Sequence, residues 1–280
     1  MIDFSSVTDI TLPNNQEVIA LDINNVRVWE KNVEPVVDKY TPFFIESDKQ
    51  TVLYIAKSNS SAPTISIQSS DDALTWTTVG STTTSSLNIT LYPNKRKYLR
   101  ANTRYWATSS YRNVIWDTPS TTYPNLTIGG NIMSLLYGSN FTGDEVVFPN
   151  SLDKYIFSGL FYRFDSSTSL NRIKDASKLI LPVTTLNDYC YYQMFENNIL
   201  TESPILPAKI LKERSYGLMF YGCTYLTKIT CLATDISASN CTLNWVKNVA
   251  ASGTFIKDAS MSSWTTGTGG IPSGWTVQNA

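Results

Sequence analysis

The sequence predicts a mainly β, multidomain protein. It divides into an N-terminal β-hairpin unit over residues 1–33, a β-sandwich over residues 34–118, and a C-terminal α/β solenoid of short repeats with a cap over residues 119–280. Three observations carry this reading. Two apolar runs flank Asn24-Asn25 near the start. Short apolar segments return at roughly ten-residue intervals through the middle of the chain. Apolar positions in the last third repeat every 25 residues.

Residues 1–33 hold the first element. Ile10 and Leu12 alternate with polar residues before the turn residues Pro13-Asn14-Asn15. Val18 to Ile23 reads as a strand, and Val26-Arg27-Val28-Trp29 as its partner. Asn24-Asn25 between them fits a two-residue hairpin turn, because Asn tolerates positive φ. So small a unit encloses little core, and an isolated two-stranded hairpin is marginal in water. It is therefore expected to dock on a partner or on its own copies, with Val26, Val28 and Trp29 as the attachment interface.

Between residues 34 and 118 the expected strands are Phe43–Ile45, Val52–Ala56, Thr64–Gln68, Thr75–Val79, Leu87–Leu91, Tyr98–Ala101 and Asn113–Trp116. Ser, Asn, Asp and Pro separate them, the rhythm of an immunoglobulin-like sandwich. Within this stretch, Ser69-Ser70-Asp71-Asp72-Ala73-Leu74-Thr75-Trp76 resembles the Asp-box hairpin of sialidase-like β proteins, S-x-D-x-G-x-T-W, with Ala73 where the motif has Gly. The resemblance implies a structural turn and no catalysis. A sialidase would also need several copies and an arginine triad.

The repeat signal is the strongest in the chain. Met194-Phe195 returns as Met219-Phe220, and Leu181-Pro182 as Leu206-Pro207, each 25 residues on. Leu186, Leu211 and Ile236 keep the same spacing, as do Tyr191, Tyr216 and Cys241, and Trp245 takes the slot of Phe195 and Phe220. Tyr155 and Phe161 match Tyr189 and Phe195 in an earlier, degenerate unit. Such a period is that of leucine-rich solenoids. Each unit is expected to hold a helical turn (Asp188–Phe195, Lys212–Phe220) and a short strand (Thr201–Leu206, Thr227–Leu232), stacked into one core. Trp264 and Trp275 lie in a Gly/Thr-rich tail read as the lid on the last repeat.

Composition excludes several function classes. Charged residues are 16% of the chain and net charge is −1, with the bases scattered. Lys95-Arg96-Lys97 is the densest basic run and reads as a solvated turn, so no nucleic acid partner is expected. No apolar run approaches the ~20 residues of a membrane span, and the first residues lack the pattern of a signal peptide. Histidine is absent, which removes the commonest general base and metal ligand. The spacings of Cys190, Cys223, Cys231 and Cys241 fit no zinc pattern, and these cysteines read as small buried hydrophobes. No catalytic residue, cofactor or metal is expected. Asp71-Asp72 and Asp144-Glu145 are adjacent pairs, which on a strand point to opposite faces and cannot straddle a glycosidic bond.

The segments Ile132-Met133-Ser134-Leu135-Leu136-Tyr137-Gly138, Leu179-Ile180-Leu181-Pro182 and Met219-Phe220-Tyr221-Gly222-Cys223-Thr224-Tyr225-Leu226 resemble the BspA-type leucine-rich repeat surface proteins of gut Bacteroidetes and their phages. Residues from Cys231 to Val277 resemble the closing cap of such arrays. Val28-Trp29-Glu30-Lys31 resembles the N-termini of phage tail and fibre proteins. The chain departs in having few units and in Lys209-Ile210-Leu211-Lys212-Glu213. The resemblance implies adhesion rather than chemistry. Two readings follow: a bacteriophage virion structural protein, a head or tail fibre or decoration, or a bacterial cell-surface adhesin. The missing signal peptide favours the first, assembled in the host cytoplasm and exposed on the virion surface. Expected partners are other virion proteins through the N-terminus, further copies of the chain, and a host-surface glycan or protein. Candidate ligand-surface aromatics are Tyr105, Trp106, Tyr111 and Trp116 in one cluster and Tyr189 and Tyr192 in another.

Overall fold

The computed structural model of the 280-residue chain describes residues 37–82, 86–108, 111–117, 124–162, 173–262 and 264–280, together with the backbone of four strands before residue 37. The chain forms two compact units, Met1–Val36 and Val37–Ala280.

In the first unit β1 (Ile10–Thr11) pairs antiparallel with β2 (Glu17–Val18), and β3 (Ala20–Ile23) with β4 (Val26–Glu30). Ile23 stands opposite Val26, the register a two-residue connection requires, and a register shift between Leu21 and Asp22 then sets Leu21 opposite Trp29. The Asn24-Asn25 turn itself lies outside the described residues.

The second unit opens with β5 (Phe44–Ser47), β6 (Thr51–Lys57), β7 (Ser66–Ser70), β8 (Thr77–Ser81), β9 (Leu87–Leu91), β10 (Lys97–Ala101), β11 (Ala107–Thr108) and β12 (Tyr111–Asp117). They form antiparallel sheets ordered β11-β12-β6-β9 and β5-β10-β7-β8. Alternation drives both. Leu53 and Ile55 on β6, Ile67 on β7, and Leu99 and Ala101 on β10 are all buried in one shared cluster. The order differs from that of an immunoglobulin sandwich. In that fold the first strand lies beside the second and the last beside the sixth. Here β5 lies beside β10, and β12 beside β6. The exchange leaves the far edge of β5 available to the rest of the chain.

That edge pairs antiparallel with β13 (Leu126–Asn131), which starts a parallel series through β14 (Ile173–Ile180), β15 (Glu202–Leu206), β16 (Lys228–Cys231), β17 (Thr254–Lys257) and β18 (Thr276–Asn279). One ten-stranded sheet therefore runs from β8 to β18 without a break. Gly130 makes the crossing possible at the seam. Its φ is +74°, and a Cβ there would run into the Pro42 carbonyl.

The parallel part is a β-solenoid of about four turns. Leu206 faces Cys231 across 25 residues, and the isolated bridges Thr185–Ile210–Asp235 keep the same step on a second side. The remaining side corrects the expectation of helical turns. Among the described residues the one α-helix is α1 (Ser134–Tyr137). Residues 188–198 and their equivalents are ribbons of overlapping β-turns. The N–H groups of Cys190, Tyr192, Met194, Glu196 and Asn198 each donate three residues back, whereas those of Tyr189, Tyr191, Gln193, Phe195 and Asn197 donate to carbonyls of the next coil. A helix would satisfy every N–H internally; here alternate ones tie the coils together. Every fourth residue takes positive φ: Tyr189, Gln193 and Asn197; Arg214, Leu218 and Gly222; Asn240, Asn244 and Asn248. These are the third positions of type II turns alternating with turns of ordinary sign.

The ribbon places two residues inward and the next two outward. Inward residues form aromatic ladders through the core. Phe43, Phe161, Phe195, Phe220, Trp245 and Trp264 succeed one another at centroid separations of 5.4–6.1 Å. Phe157, Tyr191, Tyr216 and Trp245 form a second ladder. The ends of the core are covered. Trp106 N donates to Ile156 O and Ile115 N to Leu160 O on the first side. Trp264 stacks on Trp245, and Trp275 Nε1 bonds Ala250 O at 2.8 Å, on the other. All four cysteines are buried free thiols. No described helix is long and apolar enough to cross a membrane.

Candidate functional site

Outward ribbon positions bring tyrosines of successive coils together. The rings of Tyr155 and Tyr189 lie 4.4 Å apart, and Tyr192 meets Tyr189 edge-on at 5.8 Å. Tyr189 Oη donates to Glu213 Oε1 at 3.0 Å, and the Arg214 guanidinium lies 5.8 Å from the ring centre. Burial, then the bond to Glu213, raises the Tyr189 phenol above its ordinary range.

Beside this patch Arg112 reaches from β12 into the notch at Gly159, where a Cβ would strike the guanidinium. Its Nη2 donates to Gln193 Oε1 at 3.0 Å, and Gln193 Nε2 donates to Glu196 Oε2 at 2.5 Å. Arg112 and Glu196 are both buried. Desolvation lowers the arginine and raises the carboxyl, each against the attraction of the other. The Tyr162 ring lies 5.5 Å from the guanidinium.

A second feature lies on the sheet where the antiparallel and parallel parts meet. A cavity of about 490 Å³ opens across β5, β13, β14 and β15, and every side chain lining it is polar. Its wall side chains are held by hydrogen bonds and ion pairs. Asp48 accepts Asn125 N at 2.8 Å and Asn125 Nδ2 at 2.7 Å. Glu46 holds Arg96 Nε at 2.6 Å, Asp175 Oδ1 accepts Ser177 N at 2.8 Å, and Glu202 Oε1 pairs with Lys228 Nζ at 2.7 Å. Asp175 stands opposite Glu202 on the neighbouring strand.

The sequence-predicted residues separate. Tyr189 and Tyr192 do meet. Trp106 is wholly buried with Nε1 bonded to Leu135 O, so it presents nothing to a ligand. Tyr111 is exposed at the start of β12, and Trp116, five residues on, projects from the opposite face. Tyr105 packs half-buried against the core. Val26, Val28 and Trp29 lie on β4, with side chains outside the described residues.

Sequence reasoning missed Arg112, Gln193 and Glu196, and the whole cavity, because strand register assembles both sites from distant residues. A tight turn does form in the segment that resembles an Asp-box, but its capping carboxylate is one residue later than the motif has it. Asp72, not Asp71, accepts Ser70 Oγ, Leu74 N and Thr75 N at 2.7–2.8 Å, bonds that depress its carboxyl strongly. Asp71 pairs instead with Lys97. Ala73 takes φ 61° in the glycine position, and the Arg100 guanidinium lies 4.2 Å from the Trp76 ring centre. Glu145 is a local cap for Thr142 N and Gly143 N, and Asp144 pairs with Lys39 at 2.5 Å.

Among the described residues no three His, Cys, Asp or Glu side chains converge as a metal requires. Comparison with protein families, with curated proteins and with solved structures returns no match to this chain.

Proposed function

We propose that the chain is a non-enzymatic bacteriophage virion structural protein, of head or tail fibre or decoration type. It docks by residues 1–33 and displays the remainder for adhesion to a host surface. One observation carries this reading: a small β unit, Met1–Val36, is compact by itself and separate from the large unit Val37–Ala280. Attachment and display are then properties of different parts of the chain. The open strands of a small β unit offer unpaired backbone groups to other virion proteins or to further copies. The large unit is one compact body, with a polar cavity on its sheet and a tyrosine patch on its turns. Parallel strands stepping by about 25 residues also support a BspA-type leucine-rich repeat assignment for the solenoid.

Two measurements test the proposal. Mass spectrometry of purified virions against host envelope fractions should find the chain in virions. Enrichment in the envelope instead would point to a bacterial cell-surface adhesin. Deleting residues 1–31 should leave the circular dichroism of the remainder unchanged and abolish incorporation into particles. Normal incorporation of the truncated chain would place docking elsewhere.

A further inference from the structure

We infer that the polar cavity at the seam of the sheet is a binding site for an uncharged glycan, an assignment that deepens the display function above and rests on it. Three features point there. The volume, about 490 Å³, lies within the ~300–1,000 Å³ of small-ligand sites. The lining alternates acceptors with donors: carboxylates of Glu46, Asp175 and Glu202 beside Lys174, Asn94 and Thr201. A sugar hydroxyl both donates and accepts, so vicinal hydroxyls match such a surface. The carboxylates are also fixed in advance. One oxygen each of Glu46, Asp175 and Glu202 is bound to Arg96, Ser177 N and Lys228 respectively, which orients the side chain before a ligand arrives.

A local conflict adds to these three. Asp175 and Glu202 are directly opposite across parallel strands, and like charges so placed destabilise a sheet. The bonds to Ser177 N and Lys228 do not require the two carboxylates to adjoin, whereas a site that grips hydroxyls gains two adjacent acceptors. The same carboxylates, with Asp48 beside them, repel sialylated and sulfated glycans.

The test is a glycan array probed with the full chain, followed by titration of the best uncharged oligosaccharide against the isosteric double variant Asp175→Asn/Glu202→Gln. Expected are binding confined to uncharged glycans and at least a tenfold loss of affinity in the double variant. Its thermal midpoint should change little, since relief of the like-charge pair offsets loss of the Glu202–Lys228 pair. A merely structural role would move the midpoint downward with the affinity. Leu152→Ala, at an exposed position that does not line the cavity, should leave affinity unchanged. Uncharged-glycan binding that survives the double variant, or a preference for acidic glycans, overturns the inference while leaving the display reading intact. Adhesion to host cells with no glycan bound does the same. Exclusion of the chain from virions and host surfaces removes the display reading, and the array result still decides the site.

Discussion

Replacing Phe195 or Phe220 by alanine tests the ladder that holds the solenoid together. Both side chains are wholly buried, and their rings stack on each other at 5.8 Å with 9° between planes. Phe195 also stacks on Phe161 at 5.4 Å, and Phe220 contacts Trp245 at 6.1 Å. Removing either ring forfeits about 1.5–3 kcal/mol of burial. It also opens a cavity between coils that are hydrogen-bonded to each other and cannot close over it. The expected total is about 3–5 kcal/mol for each variant. The two losses share one stacked contact, so the double variant should fall short of additivity by about 0.5–1.5 kcal/mol. Urea unfolding followed by circular dichroism measures all three, with Leu152→Ala, at an 84% exposed site, as the control near zero. Costs under about 1 kcal/mol at both positions, or strict additivity, would refute stacking as the source of the 25-residue period.

Other expectations are smaller in scale. Ala73→Gly should stabilise the chain by about 0.5–1 kcal/mol, because the positive φ of Ala73 costs an L-residue more than the entropy glycine loses; a loss of stability in thermal melts would contradict the Asp72-capped turn. Tyr191→Phe should also stabilise, by about 1 kcal/mol, since the buried Tyr191 hydroxyl has no hydrogen-bond partner among the described residues; a drop in the urea midpoint would mean the hydroxyl is satisfied. Desolvation raises the Cys223 and Cys231 thiols to about 12, against about 8.5 unfolded. A raised pKa favours the neutral folded form, so this contribution is complete below pH ~8.5 and is lost as pH rises through about 12. Equilibrium unfolding between pH 7 and 11 should show stability falling on the alkaline side, and a thiol reagent should label these cysteines only on unfolding. A screen of glycan and peptide substrates should find no hydrolysis; turnover abolished by changing a single Asp or Glu would overturn the non-enzymatic reading.

Much of the fold was legible in residue order. Each of the seven strands expected between residues 34 and 118 formed within about two residues of its place, because period-two burial of Leu53 and Ile55 or Leu99 and Ala101 is written locally. The 25-residue spacing of Phe195, Phe220 and Trp245 was likewise legible, since each coil must return the same apolar slot to the core. The conformation of the coil was not. Paired apolar residues such as Tyr191 and Phe195, four apart, read as a helix face, because a period of 4.0 is close to 3.6. The discriminating signal was Asn240, Asn244 and Asn248, three residues tolerant of positive φ at that same spacing.

What the tertiary structure alone decided is the pairing of strands distant in sequence. The sequence determined that β5 is a strand, but not that it would lie between β10 and β13, a strand the sequence reading did not expect. Strand identity follows from each segment's own alternation, whereas neighbour choice depends on which edges remain unsatisfied once the rest has folded. That choice merges the antiparallel sheet with the solenoid. It also brings Glu46 and Asp48 beside Asp175 and Glu202. Those residues are remote from one another in the chain, and no local pattern marks them as a site; they share a cavity because backbone groups on both edges of β5 and β13 had to find partners.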